Sequence, residues 1–319
     1  MAAGHGWLRR MRDAAETALF ALAIAPFLVV PADWTIRAFG WIGRVIVPLT
    51  PAARPVAENL ALARPALAPQ ARRIAAAVGD NFGRVLAEYI RMPDVAARRD
   101  RRRVAGLRHL EAARAEGRGV VLVSAHFGNW EAARLAARDA GVECALIYRA
   151  FNNAWFNRLA LMRIRRAGDP VFFKGKTGSR QMLAHLRRGG ALLVLLDQRA
   201  AGGPLLPFLG QPAETFTAVA AMAARIGAPM VPVSARRDAT GLNFDVVFER
   251  PIPPGDAAAM SRAINDRIAA WIDGEPGQWF WLHRRFRIRR PENRRDEIAE
   301  ARAMCVESAA APAPVSARL

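Results

Sequence analysis

The amino-acid sequence predicts an α/β protein: a mainly parallel sheet flanked by helices, preceded by a helical N-terminal membrane anchor. Three observations carry this reading. From Gly119 onward, short apolar runs alternate with amphipathic segments of helix length, the pattern of repeated strand and helix units. Residues 17–32 contain no charged side chain. One strand-like run ends at a histidine, passes through a Phe-Gly-Asn turn and reaches a glutamate at the head of an Ala-rich helix.

At 319 residues the chain is long enough to bury a sizeable core as one large or two small domains. A hydrophobic fraction of 52% with mean hydropathy +0.04 is high for a soluble protein and too low for a polytopic membrane protein. A globular body with some membrane contact fits both values. The formal charge of +19 comes almost wholly from arginine, because Lys174 and Lys176 are the only lysines. Such charge favours anionic partners: nucleic acid, acidic headgroups or an acidic protein. Three absences speak against nucleic acid, namely a basic helix-turn-helix pattern, a zinc motif and an RNP-like aromatic strand. Cys144 and Cys305 form no metal or redox motif, and a reducing, cytoplasmic setting follows.

The elements follow in order. Arg9, Arg10 and Arg12 precede an apolar run from Ala18 to Val30 that is short for a span and interrupted by Pro26. Pro31 and its bulky neighbours argue against a signal cleavage site. A second apolar stretch, 38–50, carries Arg44 as its sole charge and includes Trp41. Together they read as an uncleaved anchor over residues 1–50, either one short span or a hairpin lying in one leaflet. Two buried helices of a soluble domain are the other reading. Helical spacing recurs at Phe82, Val85, Leu86, Tyr89 and Ile90, and the basic run 98–103 reads as a solvated face or a headgroup contact.

In the body, residues 51–290, strands are expected at 120–125, 145–149, 170–173, 191–197, 229–235 and 243–249. Helices are expected at 130–140, 154–166, 177–188, 215–226 and 257–272. Gly202, Gly203 and Pro204 open a loop that runs to Glu214 and is expected to border a pocket. Past Pro291 the chain turns polar, then rich in Ala and Pro, so 291–319 is expected to be a flexible tail.

His126 and Glu131 are the candidate catalytic pair. On one continuous helix, residues five apart lie well over 90° apart and do not meet. Here the histidine ends a strand and Asn129 reads as an N-cap, which places Glu131 in the first helical turn. The turn can then fold the carboxylate back to the imidazole, fixing its tautomer and strengthening the other nitrogen as a base. Spacing alone leaves a second reading open: a buried or capping histidine beside a glutamate that suits the helix dipole. No second His or Cys stands at ligand spacing, so no metal is expected. Ser124 is near, but nothing resembles a nucleophile elbow. That absence favours a substrate hydroxyl, deprotonated by His126 and attacking an activated carbonyl directly.

His126-Phe127-Gly128-Asn129-Trp130-Glu131 resembles the H-x4-D/E motif of membrane acyltransferases, specifically the late lipid A acyltransferases, and other segments accompany it. Glu58-Asn59-Leu60 and Asn81-Phe82-Gly83-Arg84 look like that family's N-terminal helical region. Tyr148-Arg149 with Asn152-Asn153 resembles its Tyr-Arg-Pro-x-x-Asn segment, with Ala150 replacing the usual proline. Asp197-Gln198 resembles its Asp-Gln or Asp-His strand end, and Pro207-Phe208-Leu209-Gly210 its Phe-Phe-Gly loop. The stretch Gly227 to Val233 is similar to the strand that follows. Trp281-Leu282-His283-Arg284-Arg285-Phe286 is similar to the closing Trp-x-His-x-Arg motif.

The resemblance, over roughly residues 55–290, implies a glycerolipid acyltransferase-like fold and an inner-membrane enzyme on the cytoplasmic face. It implies transfer of an acyl chain from acyl carrier protein to a hydroxyl of an anionic lipid A precursor, with no cofactor beyond that thioester. His126 would be the base and Glu131 its orienting carboxylate. Guanidinium forks bind phosphates and sugar carboxylates well, and Arg149, with one of Arg163, Arg165 or Arg166, are the candidates. Asp197 would hold an arginine or shape the site beside Gln198. Trp279, Trp281 and His283, with Arg284, would touch lipid or headgroup, or pack in the core. Another lipid acceptor (a lysophospholipid, aminolipid or glycolipid) and a non-catalytic basic membrane-binding protein are the alternatives.

Overall fold

The computed structural model describes residues 3–310. The helices are α1 (Ala3–Ile24), α2 (Pro26–Val29), α3 (Ala32–Ile46), α4 (Arg54–Ala63), α5 (Ala71–Ile90), α6 (Met92–Ala97), α7 (Leu107–Ala115), α8 (Trp130–Asp139), α9 (Ala154–Ile164), α10 (Lys176–Arg187), α11 (Ala218–Ile226), α12 (Ala257–Gly274) and α13 (Arg295–Ala310). The strands are β1 (Arg102–Ala105), β2 (Val120–Ser124), β3 (Cys144–Tyr148), β4 (Val171–Phe173), β5 (Ala191–Leu195), β6 (Leu205–Phe208), β7 (Gln211–Glu214), β8 (Met230–Arg237) and β9 (Phe244–Phe248).

Seven strands form one sheet in the order β1-β9-β8-β2-β5-β3-β4, and β6 and β7 form a separate hairpin. Every pairing in the large sheet is parallel except β8 with β9. The central strand β2 is apolar on both faces because both are covered. Val121 and Val123 join a core with α4, α5, α11 and α12, while Val120 and Leu122 join a second core under α7 and α8. The sequence-expected α/β class and its six body strands are present.

Strands in two places were not expected. β1 begins at the end of the basic run 98–103 and lies at the sheet edge, pairing with β9 alone among the described strands. That run is internally paired: Arg101 binds Asp33, Arg102 binds Asp139 and Arg103 binds Asp245. The β6–β7 hairpin occupies the expected loop 202–214. Its turn residues Leu209 and Gly210 both have positive φ, 51° and 74°, a conformation rarely taken by leucine. Pro207 and Pro212 further disguise the strands.

The expected spanning anchor is corrected. Among the described residues no helix is long and apolar enough to cross a membrane. In α1 the longest stretch free of charge is the one after Glu16, eight residues or about 12 Å of helix against a hydrocarbon core of about 30 Å. α3 is shorter than a span and carries Asp33, Arg37 and Arg44.

α3 also packs backbone to backbone on α5. A Cβ at Gly43 would overlap the Gly79 carbonyl, and one at Gly83 would overlap the Phe39 carbonyl. Arg91 donates to the carbonyls of Phe27 and Val30, tying the α2 segment to the end of α5. The expected boundary at residue 50 therefore falls within a packed unit. Of the expected flexible tail 291–319, the described part includes α13, while residues 311–319 lie outside the described residues. Arg294 at the head of α13 binds Glu214, and Ala301 is buried.

Candidate active site

His126 lies just past the end of β2, and Asp197 lies just past the end of β5, its neighbour in the sheet. Parallel pairing brings their carboxyl ends together although they are 71 residues apart. Asp197 Oδ1 accepts from the His126 imidazole Nδ1–H at 2.9 Å. Its Oδ2 accepts from the His126 backbone N–H at 3.0 Å and the Trp279 indole N–H at 2.8 Å. Asp197 is fully buried. Burial opposes its ionisation, but the charge and hydrogen bond of His126, His283 nearby and the Trp279 donor outweigh it, holding the carboxyl well below the usual range. A carboxylate fixed on Nδ1 leaves Nε2 as the basic nitrogen, facing outward on a ring whose side chain is 22% exposed.

The turn that aims His126 is braced on both sides. Gly128 has φ +54°, and a Cβ there would overlap the Ala235 carbonyl of β8. Asn81 donates to the Gly128 carbonyl at 3.0 Å, and the Phe280 N–H donates to the His126 carbonyl at 3.0 Å. Asn129 caps α8 as expected, its side-chain oxygen accepting the Glu131 N–H at 2.9 Å. Its amide donates to Glu88, which also pairs with the buried Arg237.

Glu131 does not meet His126, which corrects the expected pair. The side chain of Trp130 occupies the place beside the imidazole, edge-on with centroids 5.0 Å apart. Glu131 instead points into the core, where Oε2 accepts from Arg134 at 2.8 Å and Oε1 accepts from the Tyr89 hydroxyl at 2.9 Å. Tyr89 in turn accepts the Trp130 indole N–H at 3.0 Å, and Arg134 donates to the Gly168 carbonyl. Burial and the adjacent Glu131 charge push the Tyr89 hydroxyl well above 10.0, so it stays a neutral donor. Glu131 thus bears on the histidine only through Tyr89 and Trp130.

A cavity of about 380 Å³ opens at His126. Its walls are apolar: Phe20 and Ile24 from α1, Leu86 and Ile90 from α5, Phe156 and Leu159 from α9. Arg149, at the end of β3, and Arg163, on α9, are the cations lining it. Neither forms an ion pair among the described residues.

The other expected contacts are placed elsewhere. Arg166 is exposed and its backbone carbonyl receives Arg138, outside the cavity lining. Arg165 pairs with Asp169. Arg284 pairs with Glu58. His283 sits behind the site, its Nδ1 on the Phe280 carbonyl at 2.9 Å and its ring against Trp279. Trp279 and Trp281 are fully buried, so they are core residues that present nothing to lipid. Among the described residues Asp197 holds no arginine. Gln198 stands beside the histidine, its Nε2 at 3.4 Å from His126 Nε2.

The closing Trp and Arg segment is a brace. Arg285, wholly buried, donates to the Glu214 carbonyl, and Asn59 donates to the carbonyls of Trp281 and His283. Sequence reasoning missed Tyr89, Trp130 and Arg134 as supports of the site, and it missed Asp197 as the partner of His126. The available signal for Asp197 was an acidic residue closing an apolar strand, which becomes informative once β5 is known to adjoin β2. Within the described residues, no group of three or more acidic, His or Cys side chains is arranged to hold a metal.

Residues 5–288 match the sequence profile of the family described as bacterial lipid A biosynthesis acyltransferase. The chain is similar to the phosphatidylinositol mannoside acyltransferase of Mycobacterium tuberculosis, with 27% identity over 69% of this chain and 72% of that protein. It is also similar to the lipid A biosynthesis lauroyltransferase of Escherichia coli, with 30% identity over 58% of this chain and 62% of that protein. With the lipid A biosynthesis acyltransferase of Haemophilus influenzae it shares 24% identity over 58% of this chain and 59% of that protein.

Proposed function

The chain belongs to the bacterial lipid A biosynthesis acyltransferase family, and on that premise we propose that it moves a fatty acyl chain from acyl carrier protein to a hydroxyl of a lipid A precursor. The observation that carries the chemistry is the His126–Asp197 pair at the mouth of an apolar cavity. In this reading His126 Nε2 removes the proton of the acceptor hydroxyl, and that oxygen attacks the thioester carbonyl. The tetrahedral intermediate collapses, the C–S bond breaks, and the imidazolium returns its proton to the departing thiolate. An ester and a free thiol result, and the protein itself forms no covalent bond. Asp197 holds the tautomer and stabilises the imidazolium that forms.

The acyl chain lies in the apolar cavity. Arg149 and Arg163, unpaired among the described residues at its walls, take the phosphate or carboxylate of the acceptor. Glu131 is a positioning residue. Trp34, Val45, Ile46 and Leu49 on and after α3, with Leu19 and Leu22 on α1, are exposed apolar side chains. They support contact with one leaflet at the cytoplasmic face of the inner membrane, without a span.

A second acceptor class has its own support, since the match to the mycobacterial phosphatidylinositol mannoside acyltransferase covers more of this chain than the match to the lauroyltransferase. The test supplies labelled acyl carrier protein and acyl-coenzyme A thioesters with a lipid A precursor, a phosphatidylinositol mannoside and a lysophospholipid. Transfer from acyl carrier protein to the lipid A precursor is expected. Transfer only to another lipid moves the acceptor assignment, and transfer to none refutes the reading.

A further inference from the structure

The reaction just described needs a donor for the negative charge that develops on the thioester oxygen. Donors fixed in advance at that point contribute strongly to catalysis. Around His126 most candidates are already committed. The Trp130 indole donates to Tyr89, the Tyr89 hydroxyl to Glu131, the Trp279 indole to Asp197 and the Arg199 guanidinium to Glu214. Arg149 follows β3, which is separated from β2 by β5, so its backbone stands about 10 Å away at the usual strand spacing.

Gln198 differs from all of these. Its carboxamide makes one hydrogen-bond contact among the described residues, with His126 Nε2 at 3.4 Å. Because Nδ1–H is given to Asp197, Nε2 presents a lone pair, and the amide must turn its NH2 group toward it. A distance of 3.4 Å is long beside the ordinary 2.9–3.0 Å for such bonds, roughly the limit of a useful interaction. The contact is weak enough to yield when an acceptor hydroxyl takes the lone pair. The backbone below it is firm, since the Leu196 N–H donates to the Ser124 carbonyl and Asp197 receives three donors.

We propose that Gln198 is a catalytic residue, its side-chain N–H released from His126 on acceptor binding and donated to the thioester carbonyl oxygen as that oxygen becomes anionic. The inference rests on the acyl-transfer reading with His126 as base. The NH2 group starts beside the atom that receives the hydroxyl proton, so it stands within one side-chain rotation of the carbon that hydroxyl attacks. No proton leaves the amide. It stabilises the intermediate while His126 carries the proton from hydroxyl to thiolate.

The test uses the full chain with a labelled acyl thioester and compares Gln198→Ala and Gln198→Glu with wild type and His126→Ala. Acyl transfer, the slower hydrolysis of the thioester by water, KM for the donor and Tm are all measured. Losing one such donor typically costs about 10²–10³ in kcat. For both Gln198 variants the expected result is a fall of that order in transfer and in hydrolysis alike, with donor KM within about threefold and Tm unchanged. A purely structural residue would lower Tm, and a residue that positions the acceptor would lose transfer while keeping hydrolysis. Either outcome overturns the proposal, as does a wild-type kcat in both variants while His126→Ala is inactive. An active His126→Ala would instead refute the underlying acyl-transfer mechanism.

Discussion

Replacing Asp197 by asparagine separates the two carboxylates that compete for the role of histidine partner. All three groups around Asp197 are donors: the His126 imidazole N–H, the His126 backbone N–H and the Trp279 indole N–H. Asparagine offers one acceptor oxygen and one NH2 group. If the oxygen stays with the two donors now on Oδ2, the NH2 group faces Nδ1 and selects the tautomer with the proton on Nε2. That nitrogen then cannot accept the hydroxyl proton. In a serine protease triad the equivalent change costs about 10⁴ in kcat, which corresponds to about 5 kcal/mol of barrier at 1.36 kcal/mol per tenfold. Asp197 is fully buried, so a lost charge-assisted bond also lowers stability, by about 1.5–3 kcal/mol. The assay is steady-state acyl transfer with Tm recorded on the same preparation. A kcat fall of about 10³–10⁴ with a Tm loss of a few degrees is expected. Asp197→Asn retaining kcat within tenfold of wild type would refute the assignment.

Glu131→Gln should behave oppositely. It breaks a buried ion pair with Arg134, whose removal from one side costs about 3–5 kcal/mol, so Tm falls further than in Asp197→Asn while the folded fraction keeps more of its kcat. A Glu131→Gln protein of wild-type Tm and negligible kcat would restore Glu131 as the catalytic carboxylate. Two buried side chains at the site should also contribute to a loss of stability in acid. Burial, partly offset by the Asp197 charge, lowers the pKa of His283 below 6.5, so the unfolded chain binds more protons and stability drops as pH falls past about that value. Asp197, held below 3.8, adds its loss only as pH falls further, through its folded value. Tm should fall less between neutral and mildly acid pH in His283→Gln than in wild type, and an unchanged curve would reject the assignment. Trp34→Glu with Trp41→Glu should release the protein from anionic vesicles in a flotation assay without changing Tm, since both side chains are largely exposed. Retention on vesicles would argue that the apolar face of α3 is not the contact.

The parts of the fold legible in the sequence were those set by local pattern. The six apolar body strands and the N-cap at Asn129 follow from periodicity and side-chain chemistry, and both are present. The position of His126 was legible because a strand ending in histidine before a capped helix is a local arrangement. Its partner was not, because Asp197 reaches it through a strand order that no local window contains. Glu131 was close in sequence yet wrong, since Trp130 fills the space at the imidazole and turns the carboxylate toward Tyr89 and Arg134. The hairpin was hidden by a leucine at positive φ, and the sheet edge by a run of arginines whose charges are met by Asp33, Asp139 and Asp245. The N-terminal helices carry the hydrophobicity of an anchor, but α3 spends part of it on glycine-mediated packing against α5.

The central claim is that His126 deprotonates a lipid hydroxyl that attacks the thioester directly. Its most direct measurement is the mass of the acylated lipid, and of the protein itself, after rapid quenching of a single turnover by wild type and by His126→Ala. Acylated lipid from wild type, none from His126→Ala and no acyl adduct on either protein is the expected result. Product from His126→Ala at the wild-type rate, or an acyl adduct on the wild-type chain that forms and decays within the turnover, would contradict it.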